Sequence, residues 1–332
     1  MAVVDYSMEH LRSSKSVEKL KRVRRSNVLF EGDAAAVRKK FLPGDVVYYI
    51  IQIILLAVIV GALIALGKYL YDTSQSQERY DEVVVEYTEE EPIPPREMDP
   101  DTYAWPPIVD WERLKTLNPD ISGWIRIPGT DVDYPILVNN TRDYYLHHNM
   151  YGDYDESGAI FADYQNNQDL NADQHIVLYG HHMNVSTMFH AVALYTDPAF
   201  FEAHRVIYYE TPETTYVLKP IGAYIARDDE YAARQVVFGN SNEFQSYSDG
   251  RLTRSDIAVH DDYDRKTNDM LVTLITCTNA GASRIIVECV MEQSYPTSMV
   301  PVVIATALRE NGVVLNANGK VEVPADAAEP GA

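Results

Sequence analysis

Between Val46 and Gly67 the chain runs 22 residues without a charge, and within Val46–Leu66 only Gln52 and Gly61 fall outside the apolar class. At about 1.5 Å of rise per residue this stretch reaches roughly 33 Å as a helix, enough for a hydrocarbon core of about 30 Å. Its length and its basic flank (Arg38, Lys39, Lys40) distinguish it from a buried core helix. The 45 preceding residues, and the lack of a small-residue cleavage site after it, distinguish it from a cleaved signal peptide. A single membrane-spanning helix over 46–67 is expected. The 28 Lys+Arg stand against 49 Asp+Glu, a net charge of −21. Residues 1–45 carry ten and six of these, for +4, which leaves 18 − 43 = −25 for residues 46–332. A basic segment stays in the cytoplasm, so the amino terminus is expected inside and the acidic bulk outside the cell membrane. No basic face is available for phosphates, which excludes a nucleic-acid partner.

The remaining texture divides the chain further. Residues 1–45 read as a cytoplasmic basic tail and 68–107 as an acidic, Pro-containing stalk, extended in character from Asp72 to Pro107. Residues 108–300 read as a folded β domain and 301–332 as a carboxyl-terminal extension, disordered over Asn316–Ala332. A short helix is expected at Asp110–Leu117, followed by strands at Gly123–Ile127, Asp133–Val138, Gly158–Phe161, Ile176–Tyr179, Val206–Tyr209, Tyr216–Ala226, Leu271–Thr276 and Arg284–Met291. Eight short runs rich in Val, Ile, Tyr and Thr between turn signals point to an antiparallel barrel or sandwich. Helices are expected near Met188–Leu194, Pro198–His204 and Ser241–Arg254.

Two windows carry chemistry. One strand-like run ends in Tyr-Gly-His181-His182. The other, Leu271 to Cys289, reads as a β-hairpin in which Cys277 closes one strand and Arg284 opens the next. A cation beside a thiol favours the thiolate and can hold an oxyanion, and a cysteine nucleophile further needs an imidazole. Among nine histidines His181 is favoured, because it stands at a strand end where Gly180 lets the backbone turn. His181 and His182 face opposite sides of an extended chain and cannot readily share one ion, so neither a metal site nor a cofactor is expected. Cys289 lies an odd offset of five residues past Arg284, which places it on the other face as a buried apolar residue rather than a disulfide partner.

These residues resemble the sortases, membrane-anchored cysteine transpeptidases of Gram-positive bacteria. The likeness rests on Tyr-Gly-His181, on Thr-Leu-Ile-Thr-Cys277 and on Arg284-Ile-Ile-Val. Further upstream, the Asn118-Pro-Asp-Ile-Ser-Gly-Trp run, Asp143-Tyr-Tyr-Leu-His-His, Gly158-Ala-Ile-Phe and Met188-Phe resemble the class B branch. The resemblance covers roughly Val109–Met291 and implies a closed eight-stranded β-barrel with short helices, behind one amino-terminal transmembrane helix. It implies Cys277 as nucleophile, His181 as general acid/base and Arg284 as stabiliser of the oxyanion or bound signal, with Thr276, Ile275 and His182 as substrate contacts. Ile275 stands where class B enzymes often have Ser, and His182 where Asn is common.

The implied partners are exported proteins bearing a carboxyl-terminal sorting signal of the Asn-Pro-X-Thr-X kind, a peptidoglycan precursor or cross-bridge amine, and membrane lipid around residues 46–67. A pilin-polymerising sortase that uses a Lys amine is one alternative. A non-catalytic surface-binding β domain, from a different class, is another.

Overall fold

The computed structural model describes residues 43–88, 106–183, 186–227, 231–252, 270–277 and 283–310. The chain divides into two units, residues 1–67 and 68–332. In the first, the uncharged run is helical and its large apolar side chains, among them Ile53, Leu56, Val58 and Ile64, are exposed. It is long and apolar enough to cross a membrane.

That helix, α1 (Pro43–Tyr87), continues through the region expected to be an extended stalk. Beyond Gly67, Thr73, Ser76, Tyr80 and Val83 are buried, a 3-4-3 spacing that forms one helical stripe. The stalk expectation is therefore corrected over residues 68–87, while residues 89–105 lie outside the described part. Two members of the stripe are small polar residues and the other face is acidic, which disguises the amphipathic period. Tyr80 anchors it, donating its hydroxyl to the Gly158 carbonyl at 2.8 Å and meeting Tyr134 edge-on at 5.4 Å.

A short helix α2 (Trp111–Leu117) follows, capped by the Asp110 carboxylate on the Arg113 N–H. Eight strands then close a barrel: β1 (Ile121–Arg126), β2 (Asp133–Leu137), β3 (Ile160–Ala162), β4 (His175–Tyr179), β5 (Ile207–Glu210), β6 (Thr214–Arg227), β7 (Leu271–Cys277) and β8 (Ser283–Pro296). Their order round the barrel is β1-β2-β3-β4-β7-β8-β6-β5, with β2–β3 and β4–β7 parallel and the other pairs antiparallel. All eight expected strands are present, each within a few residues of its expected bounds.

Helices α3 (His190–Leu194) and α4 (Pro198–Ala203) lie between β4 and β5, and α5 (Ser241–Leu252) between β6 and β7. The extension expected after residue 300 begins as a helix, α6 (Val300–Glu310), with Val300 and Ile304 buried four residues apart. The part expected to be disordered, Asn316–Ala332, lies outside the described residues.

Alternate strand residues fill the barrel. Ile125, Ile136, Leu178, Tyr209, Leu274, Val287 and Cys289 belong to one buried cluster. On the other face of β5, Glu210 is fully buried and neither carboxylate oxygen has a hydrogen-bond partner. Burial holds its pKa well above the ordinary carboxylate range, opposed by Arg126 and reinforced by Asp133.

Tyr80→Ala removes a buried ring and is expected to cost roughly 3–5 kcal/mol in denaturant unfolding, the range for large-to-small core changes. Because the folded-state pKa of Glu210 is raised, its protonation contributes stability that is complete below the unfolded carboxyl pKa and declines as pH rises towards the folded value. Glu210→Gln should abolish that decline, whose limiting slope is about 1.4 kcal/mol per pH unit. Parallel pH–stability curves for the two proteins would contradict this reading.

Candidate active site

Cys277 closes β7 and faces Arg284 as its direct cross-strand partner in β8. Directly paired residues of an antiparallel ladder have Cα atoms about 4.5–5.5 Å apart and side chains on one face. The expected hairpin is thus present, with loop residues 278–282 outside the described part. On the other side of β7, β4 runs parallel with Tyr179 opposite Ile275, and the Gly180 N–H donates to the Ile275 carbonyl at 3.2 Å. The paired register ends at Tyr179 and Ile275, so His181 and Cys277 each follow two residues beyond the same end of the β4–β7 ladder. Burial holds the His181 pKa below its ordinary range. The Leu146 carbonyl opposes this shift, and smaller contributions come from His147, Glu156 and Arg284.

The face is the one turned away from the barrel core. Val177, Ile275 and Ile286 pack with Tyr224, Ala226, Ala233 and Val236 in a second apolar cluster, and Cys277, His181 and Arg284 stand at its end. Cys277 is a partly exposed free thiol, whereas Cys289 is a buried one on the core side. Burial pushes the Cys289 thiol well above its usual pKa, with Glu288 adding to the shift. This is the division expected from their odd spacing, and it leaves Cys277 as the accessible thiol.

The expected substrate contacts fall differently. Ile275 and Thr276 are each 1% exposed. Ile275 is spent in the second apolar cluster, and the Thr276 hydroxyl donates to the Gly180 carbonyl at 2.8 Å. Neither offers a side-chain surface to a substrate, so these two expectations are corrected: the alternation that exposes Cys277 at the strand end packs Ile275 with Ala233 and Val236. His182 is partly exposed, and its Nδ1 lies 2.9 Å from the Cys277 carbonyl, an oxygen to which it donates. Thr276 and His182 together stitch the segment that carries His181 to the end of β7.

Gly180 also has another reason than a turn. A Cβ there would lie 2.5 Å from Ile160 Cδ1 and 2.7 Å from Phe189 Cγ, so glycine is required by close packing beneath the histidine.

The residue that sequence reasoning missed is Leu146. Its carbonyl lies 2.7 Å from His181 Nε2. A carbonyl only accepts, so Nε2 carries the proton and Nδ1 is left to exchange one. The short turn Tyr144–Leu146 that presents this oxygen is held by Tyr145, whose hydroxyl donates to Asp120 Oδ2 at 2.7 Å and whose carbonyl accepts from the Ala159 N–H at 3.0 Å. Gly158 makes that approach feasible: its φ is +59°, and a Cβ would lie 2.5 Å from the Tyr145 carbonyl oxygen. Three separate sequence motifs, around Asn118, Asp143 and Gly158, therefore converge on orienting one imidazole. The exposed His147 ring stands 6.0 Å from that of His181. Among the described residues no group of three or more His, Cys, Asp or Glu is placed to hold a metal ion.

A thiol, an imidazole and a guanidinium at one end of an eight-stranded barrel are the parts of a cysteine acyltransferase, and residues 125–292 match the Sortase domain family. The chain belongs to the sortase family. Within it the chain is a class B member. It is 32% identical over 164 residues to Sortase B of Listeria monocytogenes, 49% of this chain and 65% of that protein. It is 31% identical over 171 residues to Sortase B of Staphylococcus aureus, 51% of this chain and 68% of that protein. The chain thus spans about two thirds of the length of these relatives.

Clostridium perfringens sortase B superposes with a TM-score of 0.52 at 31% identity, covering 55% of this chain and 99% of that one. A Staphylococcus aureus sortase B–substrate complex gives 0.51 at 29% identity, covering 55% and 85%. A sortase B complexed with triglycine gives 0.51 at 28% identity, covering 56% and 86%.

Because the positive charge of a protonated His147 disfavours imidazolium at His181, His147→Ala should move the acidic limb of the kcat/KM profile to higher pH. An unchanged limb, or one moved to lower pH, would contradict the coupling.

Proposed function

We propose that this protein is a membrane-anchored cysteine transpeptidase that joins exported proteins to a cell-wall amine. The observation that supports the reading is the strand register, which pairs Cys277 with Arg284 and ends β4 two residues before His181. The class B relatives, one in complex with a substrate and one with triglycine, support a peptide donor and an amine acceptor.

The Cys277 thiol gives its proton to the imidazole of His181, and Sγ attacks the carbonyl carbon after the Thr of an Asn-Pro-X-Thr-X-like signal. Arg284 lies across from the thiol, where positive charge stabilises the developing oxyanion or positions the signal. The C–N bond breaks, the leaving amine takes the proton from His181, and a thioester remains on Cys277. An acceptor amine then attacks this thioester and loses its proton to His181. The new amide forms, the C–S bond breaks and the thiol is restored. The lowered pKa of His181 keeps the imidazole largely neutral at pH 7, ready to accept the thiol proton.

Residues 46–67 would cross the membrane with the basic tail inside, so the barrel works at the outer surface, where signal and wall precursor are found.

Cys277→Ala is expected to abolish cleavage of an Asn-Pro-X-Thr-X peptide, a loss of at least about a thousandfold, and Arg284→Ala to reduce kcat/KM by about a hundredfold or more. Product masses define the acceptor: a peptide joined to a glycine-type amine supports wall anchoring. A Lys isopeptide would replace that reading with pilin polymerisation. Undiminished turnover by Cys277→Ala would reject the mechanism.

A further inference from the structure

Below the site, on the same outer face, β4, β7 and β8 carry a buried polar group that the reaction does not use. Val177, Thr273 and Glu288 share one rank of the register, four residues before Cys277 and four after Arg284, and His175 stands one rank lower. His175 and Thr273 are fully buried, and Glu288 and Arg251 nearly so. His175 Nδ1 lies 2.6 Å from the Gln235 carbonyl, and its Nε2 lies 2.7 Å from Thr273 Oγ1. Thr273 Oγ1 in turn lies 2.6 Å from Glu288 Oε2. Glu288 Oε1 accepts from the Tyr224 hydroxyl at 3.2 Å and lies 3.4 Å from Arg251 Nε, while Arg251 also donates to the Tyr224 hydroxyl.

The hydrogen-bond partners of this chain of groups fix how many protons it holds. The Gln235 oxygen is a backbone carbonyl, so Nδ1 must carry a hydrogen. The Thr273 hydroxyl has one hydrogen for two neighbours. If it goes to Glu288, His175 Nε2 must donate and the ring is an imidazolium. If it goes to His175, Glu288 must donate and is a carboxylic acid. A neutral imidazole beside a carboxylate would leave two lone pairs facing each other at hydrogen-bond distance in a dry site, a costly arrangement.

We infer that His175, Thr273 and Glu288 hold one shared proton at neutral pH, and that this protonated unit is a positioning device that fastens the β6–β7 connection to the catalytic strands. The connection is gripped at two points, the Gln235 carbonyl by His175 and Arg251 of α5 by Glu288 and Tyr224. Helix α5 is mostly polar, and its buried residues Phe244, Ser248 and Arg251 form the single stripe by which it docks. The other titratable groups facing the unit are Tyr247, whose ring is 5.4 Å from that of His175, together with Tyr224 and Arg251. Burial holds the His175 imidazole down, to about 4, against the opposing Gln235 carbonyl and with Arg251 acting in the same direction. This weights the proton towards Glu288. The positioning role rests on the sortase reading of the site, whereas the proton count does not.

The test uses the full chain in lipid nanodiscs, with 15N-labelled histidine and 13C-labelled glutamate assigned through His175→Asn and Glu288→Gln. At pH 7 either a carboxylic-acid Glu288 resonance or a His175 imidazolium is expected. A neutral His175 beside an ionised Glu288 would overturn the shared proton.

Glu288→Gln can still donate to Thr273 from its amide. It should keep the amide-exchange protection of α5 at pH 7 within about threefold of the wild type. Thr273→Val severs the chain and should lose that protection at every pH, with KM for a signal peptide raised about tenfold and kcat within threefold. A Thr273→Val variant with protection intact would overturn the positioning role. Loss of all peptide cleavage by the wild type would instead count against the sortase reading and leave the proton measurement standing.

Discussion

The whole site depends on β7 pairing with two strands of opposite sense. Its antiparallel partner β8 returns Arg284 to the level of Cys277, and its parallel partner β4 ends opposite Ile275, two residues before His181. A slip of one residue in either ladder would turn a functional side chain into the core and replace it with an apolar one. What fixes the register is the tight alternation on the core side, where Leu178, Leu274 and Val287 pack in one cluster while Val177, Ile275 and Ile286 pack in another. Two filled apolar layers, one on each face, leave only one register in which both are buried. The geometry of the candidate site is thus a by-product of hydrophobic packing, with polar contacts refining it at the strand ends.

Those refinements are mostly backbone carbonyls. Leu146 supplies the oxygen that fixes the tautomer of His181, Cys277 supplies the one that holds His182, and Gly180 the one that accepts from Thr276. Carbonyls are suited to this because they cannot ionise and so impose an orientation without adding a charge that would shift the histidine further. The long amino-terminal helix contributes indirectly: Tyr80 bonds the Gly158 carbonyl, next to the Ala159 N–H that holds the Tyr145 carbonyl. Packing of α1 against the barrel therefore ends two hydrogen bonds away from the imidazole.

Much of this was legible in the sequence because it follows from periods of two and from apolar runs. The eight strands, the membrane-length helix and the separation of a partly exposed Cys277 from a buried Cys289 all rest on counting. What was not legible depends on which neighbour covers a residue. Ile275 and Thr276 sit next to the thiol in sequence, yet one packs with Ala233 and Val236 and the other is turned to bond Gly180. The helix over 68–87 hides behind Thr73 and Ser76, which read as linker residues until the barrel surface they touch is known. Leu146 acts through a backbone atom, for which residue type carries no signal. Its neighbours Tyr145 and Gly158, both needed to hold that atom in place, were visible only as motifs without a role.

The proposed mechanism requires Cys277, and no other residue, to carry the acyl group. Intact-mass and peptide-mapping spectrometry of the protein, quenched in acid during turnover of an Asn-Pro-X-Thr-X peptide, tests it most directly. A single acyl adduct on Cys277 is expected, the peptide up to its Thr, released by hydroxylamine and absent from Cys289. An adduct on any other residue, or steady turnover in which Cys277 is never acylated, would contradict it.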